Sequence, residues 1–157
     1  MTLKAGEIEV LNVFTDGSAK SNSKTSNAGW AFYFPKLNIK KSGHLIGSNN
    51  VAELTAVKQA LEYSIKQAKN NKPLVIFTDS EYVIKVLSNP KASIKENKEL
   101  IENIKSIMIS ISKYTGRDIK FEKVKAHTKK DDWVSKCNDV VDKLAQAEAS
   151  TKSVIKS

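Results

Sequence analysis

Residues 74–83, "LVIFTDSEYV", decide the fold. Leu74 to Thr78 is a short apolar run rich in β-branched and aromatic residues, the composition of a buried strand. It stops on Asp79, where a further apolar residue could stand, and a helical pattern begins at Ser80. Residues 13–18, "VFTDGS", repeat the construction: Val13, Phe14 and Thr15 lead into Asp16, so the tripeptide Phe-Thr-Asp occurs twice, about sixty residues apart. One physical reason has to cover two strands that end in acid.

Working outward from these segments, "EIEVLNVFT" (7–15) alternates as a strand does, and "AGWAFYFP" (28–35) followed by "LNIKKSGHLIG" (37–47) reads as two more strands around a turn near Pro35. From Asn50 the period changes: Val51, Leu54, Val57, Leu61, Ile65 and Ala68 share one helical face, ended by the breaker stretch "KNNKP". After the strand 74–78 come a short helix from about Ser80 to Leu87, a polar connection containing Pro90, and a helix from about Lys98 to Ser112. A strand at 118–125, a polar loop and a helix from about Asp139 to Ala149 complete the pattern. Three strands followed by alternating helix and strand predict an α/β fold. Its mixed sheet starts as an antiparallel meander, continues in parallel, and carries helices on both faces. The expected organisation is one domain over residues 1–157, with its core at about 7–150 and frayed ends at 1–6 and 151–157.

Composition narrows the class. Apolar residues make up 40% and charged residues 27% of the 157, an ordinary globular mixture. No apolar run has the length of a membrane span, and "MTLKAGEIEV" lacks the pattern of a signal peptide, so an intracellular protein is expected. The single cysteine, Cys137, excludes an internal disulfide and fits a reducing compartment, cytoplasm or nucleus. Nothing near it supplies the rest of a nucleophilic site with His127. Net charge is +9, with 26 basic against 17 acidic residues, and every basic residue but Arg117 is a lysine. That surface suits the backbone of a polyanion better than the edges of bases. A lysine-rich, asparagine-rich and isoleucine-rich composition would by itself give the same charge.

Each candidate carboxylate has an ordinary structural role open to it. Asp16 precedes glycine, a common turn pair; Asp79 stands where a helix cap would; Glu53 follows Asn50 at capping-box spacing; Asp142 neighbours Lys143. Taken together they suggest something else. Parallel neighbouring strands would deliver Asp16 and Asp79 to the same carboxyl edge, and the first turn of the helix from Asn50 would bring Glu53 over it. Crowded carboxylates repel unless a cation lies among them, and an all-oxygen set suits magnesium or manganese. Two such ions could activate water and stabilise the leaving oxygen in phosphodiester cleavage.

At this point the sequence resembles type 1 ribonuclease H. "FTDGSAKSN", "SNNVAELTAVKQALE", "IFTDSEYV" and "VKAH" followed by "NDVVDKLAQAEA" match that family's blocks in order, over about residues 11–149. The resemblance implies the ribonuclease H fold, a five-stranded mixed sheet flanked by helices. It also implies a sequence-nonspecific endonuclease cutting the RNA strand of an RNA/DNA hybrid, with Mg2+ (Mn2+ as substitute), to 3′-hydroxyl and 5′-phosphate ends. Position by position, it makes Asp16, Glu53, Asp79 and Asp142 the metal ligands. Asn22, Asn49 and Asn50 become minor-groove contacts, Ser48 and Asn97 phosphate contacts on the DNA strand, and His127 a loop histidine that aids proton movement or product release. His44 is left structural. A 2′-hydroxyl test in a wide, shallow groove is consistent with such residues.

Two features depart from the family pattern. "VLSNPKASIKENKEL" is too short for the basic handle of many cellular members, which leaves hybrid binding to lysines such as Lys85, Lys91, Lys95 and Lys98 and makes it salt-sensitive. In "HTKKDDWVSKCND", Asp142 follows His127 by fifteen residues, which reads as a long loop (128–138) with an inserted turn carrying Trp133. Asp131, Asp132 and Asp139 compete with Asp142 for its assignment, which "VDKLA" decides. A domain without a preceding hybrid-binding module is expected, no obligate protein partner is evident, and a monomer is expected. Competing functions are another enzyme that puts carboxylates on this type of sheet, such as a transposase, junction resolvase or proofreading exonuclease, and a basic module that binds hybrids or structured RNA without cutting.

Overall fold

The computed structural model describes residues 10–21, 23–66, 72–125 and 132–151. The elements in chain order are β1 (Leu11–Ala19), β2 (Asn27–Phe34), β3 (Ile39–Ile46), α1 (Asn49–Lys66), β4 (Leu74–Thr78), α2 (Glu81–Ser88), α3 (Lys98–Thr115), β5 (Lys120–Lys123) and α4 (Trp133–Ser150). They form one five-stranded sheet in the order β3-β2-β1-β4-β5. β1 and β3 both run antiparallel to β2, whereas β1–β4 and β4–β5 are parallel. This is the mixed sheet expected from the pattern of strands and helices.

Alternation along β1 distributes the core. Val13 joins Phe32, Phe34, Leu54, Leu61, Ile76, Ile101 and Ile104 on the face covered by α1, α2 and α3. Phe14, one residue on, joins Ala31, Val141 and Ala145 on the face covered by α4. Two residues beyond Phe14, Asp16 shares the α4 face, and Gly17 faces α1.

Both layers approach the sheet at a glycine. A Cβ on Gly17 would stand 2.3 Å from the carbonyl carbon of Ala52 and from the nitrogen of Glu53, so backbone meets backbone there. On the other face a Cβ on Gly29 would meet the Ala145 carbonyl oxygen at 2.3 Å. No side chain larger than hydrogen fits either contact.

Three elements differ from the sequence expectation. β1 runs past Asp16 to Ala19, because its ladder with β2 continues to the Ala19–Ala28 pair. β5 is shorter than 118–125, although Val124 N–H still donates to Thr78 O at 2.8 Å. α4 begins at Trp133, six residues before the expected start, with Asp132 as its cap accepting from Val134 N–H at 2.8 Å. The physical reason lies under Trp133. Its ring sits edge-on to Phe14 and Phe77, at 5.6 and 5.7 Å, and those two stack on each other at 4.5 Å. Covering that aromatic pair makes helix of residues that read as polar loop. Residues 1–9, 126–131 and 152–157, which include the expected amino-terminal part of β1 and part of the long loop, lie outside the described residues. Among the described residues, no helix is long and apolar enough to cross a membrane.

The two glycine environments give a stability contrast. Gly116 closes α3 at φ +77° with open space around it, so Gly116→Ala should cost about 1 kcal/mol of backbone strain. Gly17→Ala forces α1 off the sheet and should cost about 2–3 kcal/mol, the upper range for overpacking. Urea unfolding of the two variants measures the difference, and equal losses would contradict the close contact.

Candidate metal centre and active site

The default role of each acid is filled by another residue. Asp16 is not in a turn: it lies within β1, opposite Ala31 of β2, and is 3% exposed. α1 is capped by Ser48, whose Oγ accepts from Val51 N–H at 3.3 Å, so Asn50 and Glu53 form no capping box. α2 is capped by Ser80, whose Oγ accepts from Val83 N–H at 3.1 Å, leaving Asp79 uncommitted between strand and helix. Lys143 pairs with Asp139 at 2.8 Å rather than with Asp142. With those roles taken, the four acids need a different explanation.

The fold brings three of them into one cluster. Carboxylate oxygens of Asp16, Glu53 and Asp79 lie within 4.8 Å of one another. β1 and β4 run parallel in register from Leu11–Leu74 to Phe14–Phe77, which carries Asp16 and Asp79 to the same carboxyl edge. Glu53 arrives from the start of α1 because Gly17 admits that helix. Asp142, on α4, lies just outside the triad, close enough to hydrogen-bond Asp16 and to act electrostatically on Asp79. Its two oxygens each lie 3.1 Å from the Gln146 side-chain nitrogen, one helical turn on.

Burial and crowding raise every proton affinity in the triad. Asp16 is pushed up to about 8, first by loss of water and then by the charges of Asp79 and Asp142. The Gly17 N–H, donating to Asp16 Oδ1 at 2.9 Å, opposes this only in part. Glu53 is raised well above its ordinary value by burial and then by Asp16 and Asp79. Asp79 is raised by burial and by Asp142, and held back by its own backbone N–H and by Lys123.

Glu53 Oε1 is buried and has no hydrogen-bond partner among the described residues. A buried carboxylate oxygen left unpaired beside two other carboxylates costs free energy unless a proton or a cation meets it. Oxygen donors alone, at this spacing, fit a hard divalent ion. Asp16, Glu53 and Asp79 could hold such an ion, with Asp142 beside them.

The remaining expected site residues fall as follows. Asn49 Oδ1 accepts from Ala19 N–H at 3.2 Å, tying the start of α1 to the end of β1, and Asn50 sits in the first turn of α1. Asn97 precedes α3 in the left-handed conformation, and its Nδ2 donates to Tyr82 Oη of α2 at 3.0 Å. Asn22 and His127 lie outside the described residues. Sequence reasoning passes over Lys123, which pairs with Thr78 across β4–β5 and so lies beside Asp79. It is one lysine among many, and only the strand register singles it out.

An α/β sheet with buried carboxylates crowded at its carboxyl rim is a scaffold for metal-assisted hydrolysis of phosphate esters. Comparison with known proteins makes this specific. The sequence model of the RNase H family matches residues 9–150. The Ribonuclease H of Tropheryma whipplei (strain Twist) is 34% identical over 151 residues, covering 88% of this chain and 84% of that protein. An RNase H1 isolated from compost, solved in complex with an RNA/DNA hybrid, superimposes with a TM-score of 0.67 at 21% identity, covering 87% of this chain and 94% of that one. The foamy viral protease-reverse transcriptase, solved with dsDNA, gives a TM-score of 0.66 at 22% identity, over 95% of this chain and 99% of that one. The chain belongs to the RNase H family and is a ribonuclease H, a hydrolase.

The raised proton affinities set a sign for stability. Asp16 titrates near 8 in the folded state and near 3.8 unfolded, so the folded state holds the extra proton between those values. Metal-free protein should therefore lose stability as pH rises from about 4 to about 8, and the loss should level off above that. In chelator at the upper end, Glu53→Gln should raise Tm by at least about 2 °C, the shift that ~1 kcal/mol gives a domain of this size. The same variant should lose most of the Tm increase that millimolar Mg2+ or Mn2+ gives the unaltered protein. Thermal unfolding with and without chelator checks both, and a Tm insensitive to pH and metal would contradict the triad.

Proposed function

We propose that this chain is a sequence-nonspecific endonuclease that hydrolyses the RNA strand of RNA/DNA hybrids using divalent metal, Mg2+ with Mn2+ as substitute. The observation that carries the reading is the triad of buried Asp16 and Glu53 with half-buried Asp79, one glutamate oxygen having no partner among the described residues, in a member of the RNase H family. The hybrid bound to the compost RNase H1 supports the substrate class.

In this reading Asp16, Glu53, Asp79 and Asp142 hold the metal, as two ions. These residues would hold metal whose chemistry, when bound, would be to activate water and offset charge on the phosphodiester, and the expected products are 3′-hydroxyl and 5′-phosphate ends. The chain's own residues do the rest. Burial of Asp16 and Glu53 keeps water from competing for their oxygens, and the Gly17 N–H fixes the direction of Asp16. Ser48, Asn49 and Asn50 flank Glu53 on the same helix start, so strand position and carboxylates are set by one rigid segment. Asn49 and Asn50, with Asn22, contact the minor groove, where the RNA 2′-hydroxyl is presented. Ser48 and Asn97 hold the DNA strand by phosphate, and His127 assists proton movement or product release. Net charge of +9 attracts the hybrid through its backbone, without reading sequence. The reading also takes residues 1–157 as a single domain working as a monomer in a reducing compartment, cytoplasm or nucleus. The lone Cys137 is in keeping with that compartment.

The test is cleavage of labelled RNA/DNA hybrid, duplex DNA and duplex RNA side by side, with Mg2+, with Mn2+ and with chelator. Only the RNA of the hybrid should be cut, and only with metal; equal cutting of duplex DNA would reject the assignment. Asp79→Asn should lower hybrid cleavage at least about a thousandfold while hybrid binding changes little, since catalysis by bound metal carries most of the rate. Hybrid affinity should fall steeply between about 50 and 200 mM salt, as counterion release requires.

A further inference from the structure

We infer that Gln146 is a positioning residue for the fourth carboxylate: its neutral amide orients Asp142 toward the triad while leaving its charge free for metal. The inference rests on the proposed metal site.

Two i,i+4 pairs lie one after the other along α4. Lys143 Nζ is 2.8 Å from Asp139 Oδ2, and the Gln146 side-chain nitrogen is 3.1 Å from both oxygens of Asp142. Lys143 is next to Asp142 in sequence and attracted by its charge, so it could have taken that acid instead. The helix gives the cation to Asp139 and a neutral donor to Asp142. The difference matters because a lysine on Asp142 would neutralise it and compete with a divalent ion, whereas an amide only fixes its direction. Direction matters here because Asp142 is only partly buried and its contact with Gln146 is exposed, so a hydrogen bond can decide where its carboxylate points. Hydrogen bonds that orient metal ligands raise affinity through geometry alone.

Three variants separate orientation from competition, and all lie on the exposed side of α4. Gln146→Ala should raise the Mn2+ concentration for half-occupancy roughly threefold to tenfold, below the usual range for buried ligand partners because the contact is exposed. Gln146→Lys, which puts a cation one turn from Asp142, should raise it more than tenfold, on the order of the buried-partner range. Asp139→Asn frees Lys143 to turn to Asp142 and should shift it in the same direction.

Occupancy is read from the EPR signal of free Mn2+ and from Tm against Mn2+, neither of which needs turnover; hybrid cleavage against Mg2+ concentration is measured beside them. A merely structural role for Gln146 would lower Tm in chelator and leave the Mn2+ midpoint in place, and that result overturns the inference. So does a Gln146→Lys midpoint equal to that of the unaltered protein. If the unaltered protein binds Mn2+ and leaves hybrid intact, the proposed function fails, while the Mn2+ midpoints still judge Gln146.

Discussion

The contact between Gly17 and the Ala52–Glu53 peptide fixes how far α1 stands from the central strand, and the distances at the rim follow from it. A methyl group at residue 17 would occupy space that the helix backbone already holds. With α1 down on β1, Glu53 reaches the oxygens of Asp16 and Asp79, and Ser48 to Asn50 come to the same edge. On the opposite face Gly29 does the same for α4 and hence for Asp142. Two hydrogens in place of side chains let helices from both layers meet one end of the sheet.

That closeness has an electrostatic cost which the Gly17 N–H and Lys123 relieve only in part. The chain has 26 basic residues, and of the described ones near the rim Lys143 pairs with Asp139 at 2.8 Å while Lys123 pairs with Glu81 at 3.1 Å and acts on Asp79 only as a lesser influence. Replacing an acid by its amide is expected to stabilise the metal-free protein because the native acids sit only partly compensated in a desolvated place. Stability given up at a functional site is common, and here its location is the triad. The excess of lysine acts at longer range, as a field that draws a polyanion to the surface.

Much of this is legible in the sequence, and the limits are physical. The mixed sheet, antiparallel and then parallel, follows from three alternating runs before the first helix and from the apolar run 74–78, since a parallel strand must come through a crossover. The doubled Phe-Thr-Asp marks two of the triad because strands that end in acid are costly unless the acid has work. The start of α4 is not legible, because "DDWVSKCN" has the composition of a loop. Only the Phe14–Phe77 stack, assembled from two distant strands, makes helix there worthwhile. Nor is the end of β1, since Asp-Gly reads as a turn until β2 is known to continue alongside it. Gly17 as a contact point, Lys123 beside Asp79 and Gln146 on Asp142 depend on register and rotamer, which periodicity does not carry. The choice of Asp142 over Asp139 follows from the resemblance, and the Lys143–Asp139 pair gives it a physical counterpart.

The rim is drawn from residue 16, residue 53, residue 79 and residue 142, so its members are spread over most of the polypeptide. β1 lies at the centre of the sheet but finds its parallel neighbour β4 only after α1 is complete, and α4 arrives last. Such long-range pairing folds slowly. While the polypeptide is still being synthesised, therefore, the triad can meet only after β4 has been made, and Asp142 can join it only after α4. A product that stops short of α4 would carry much of the positive surface with the rim lacking its fourth acid.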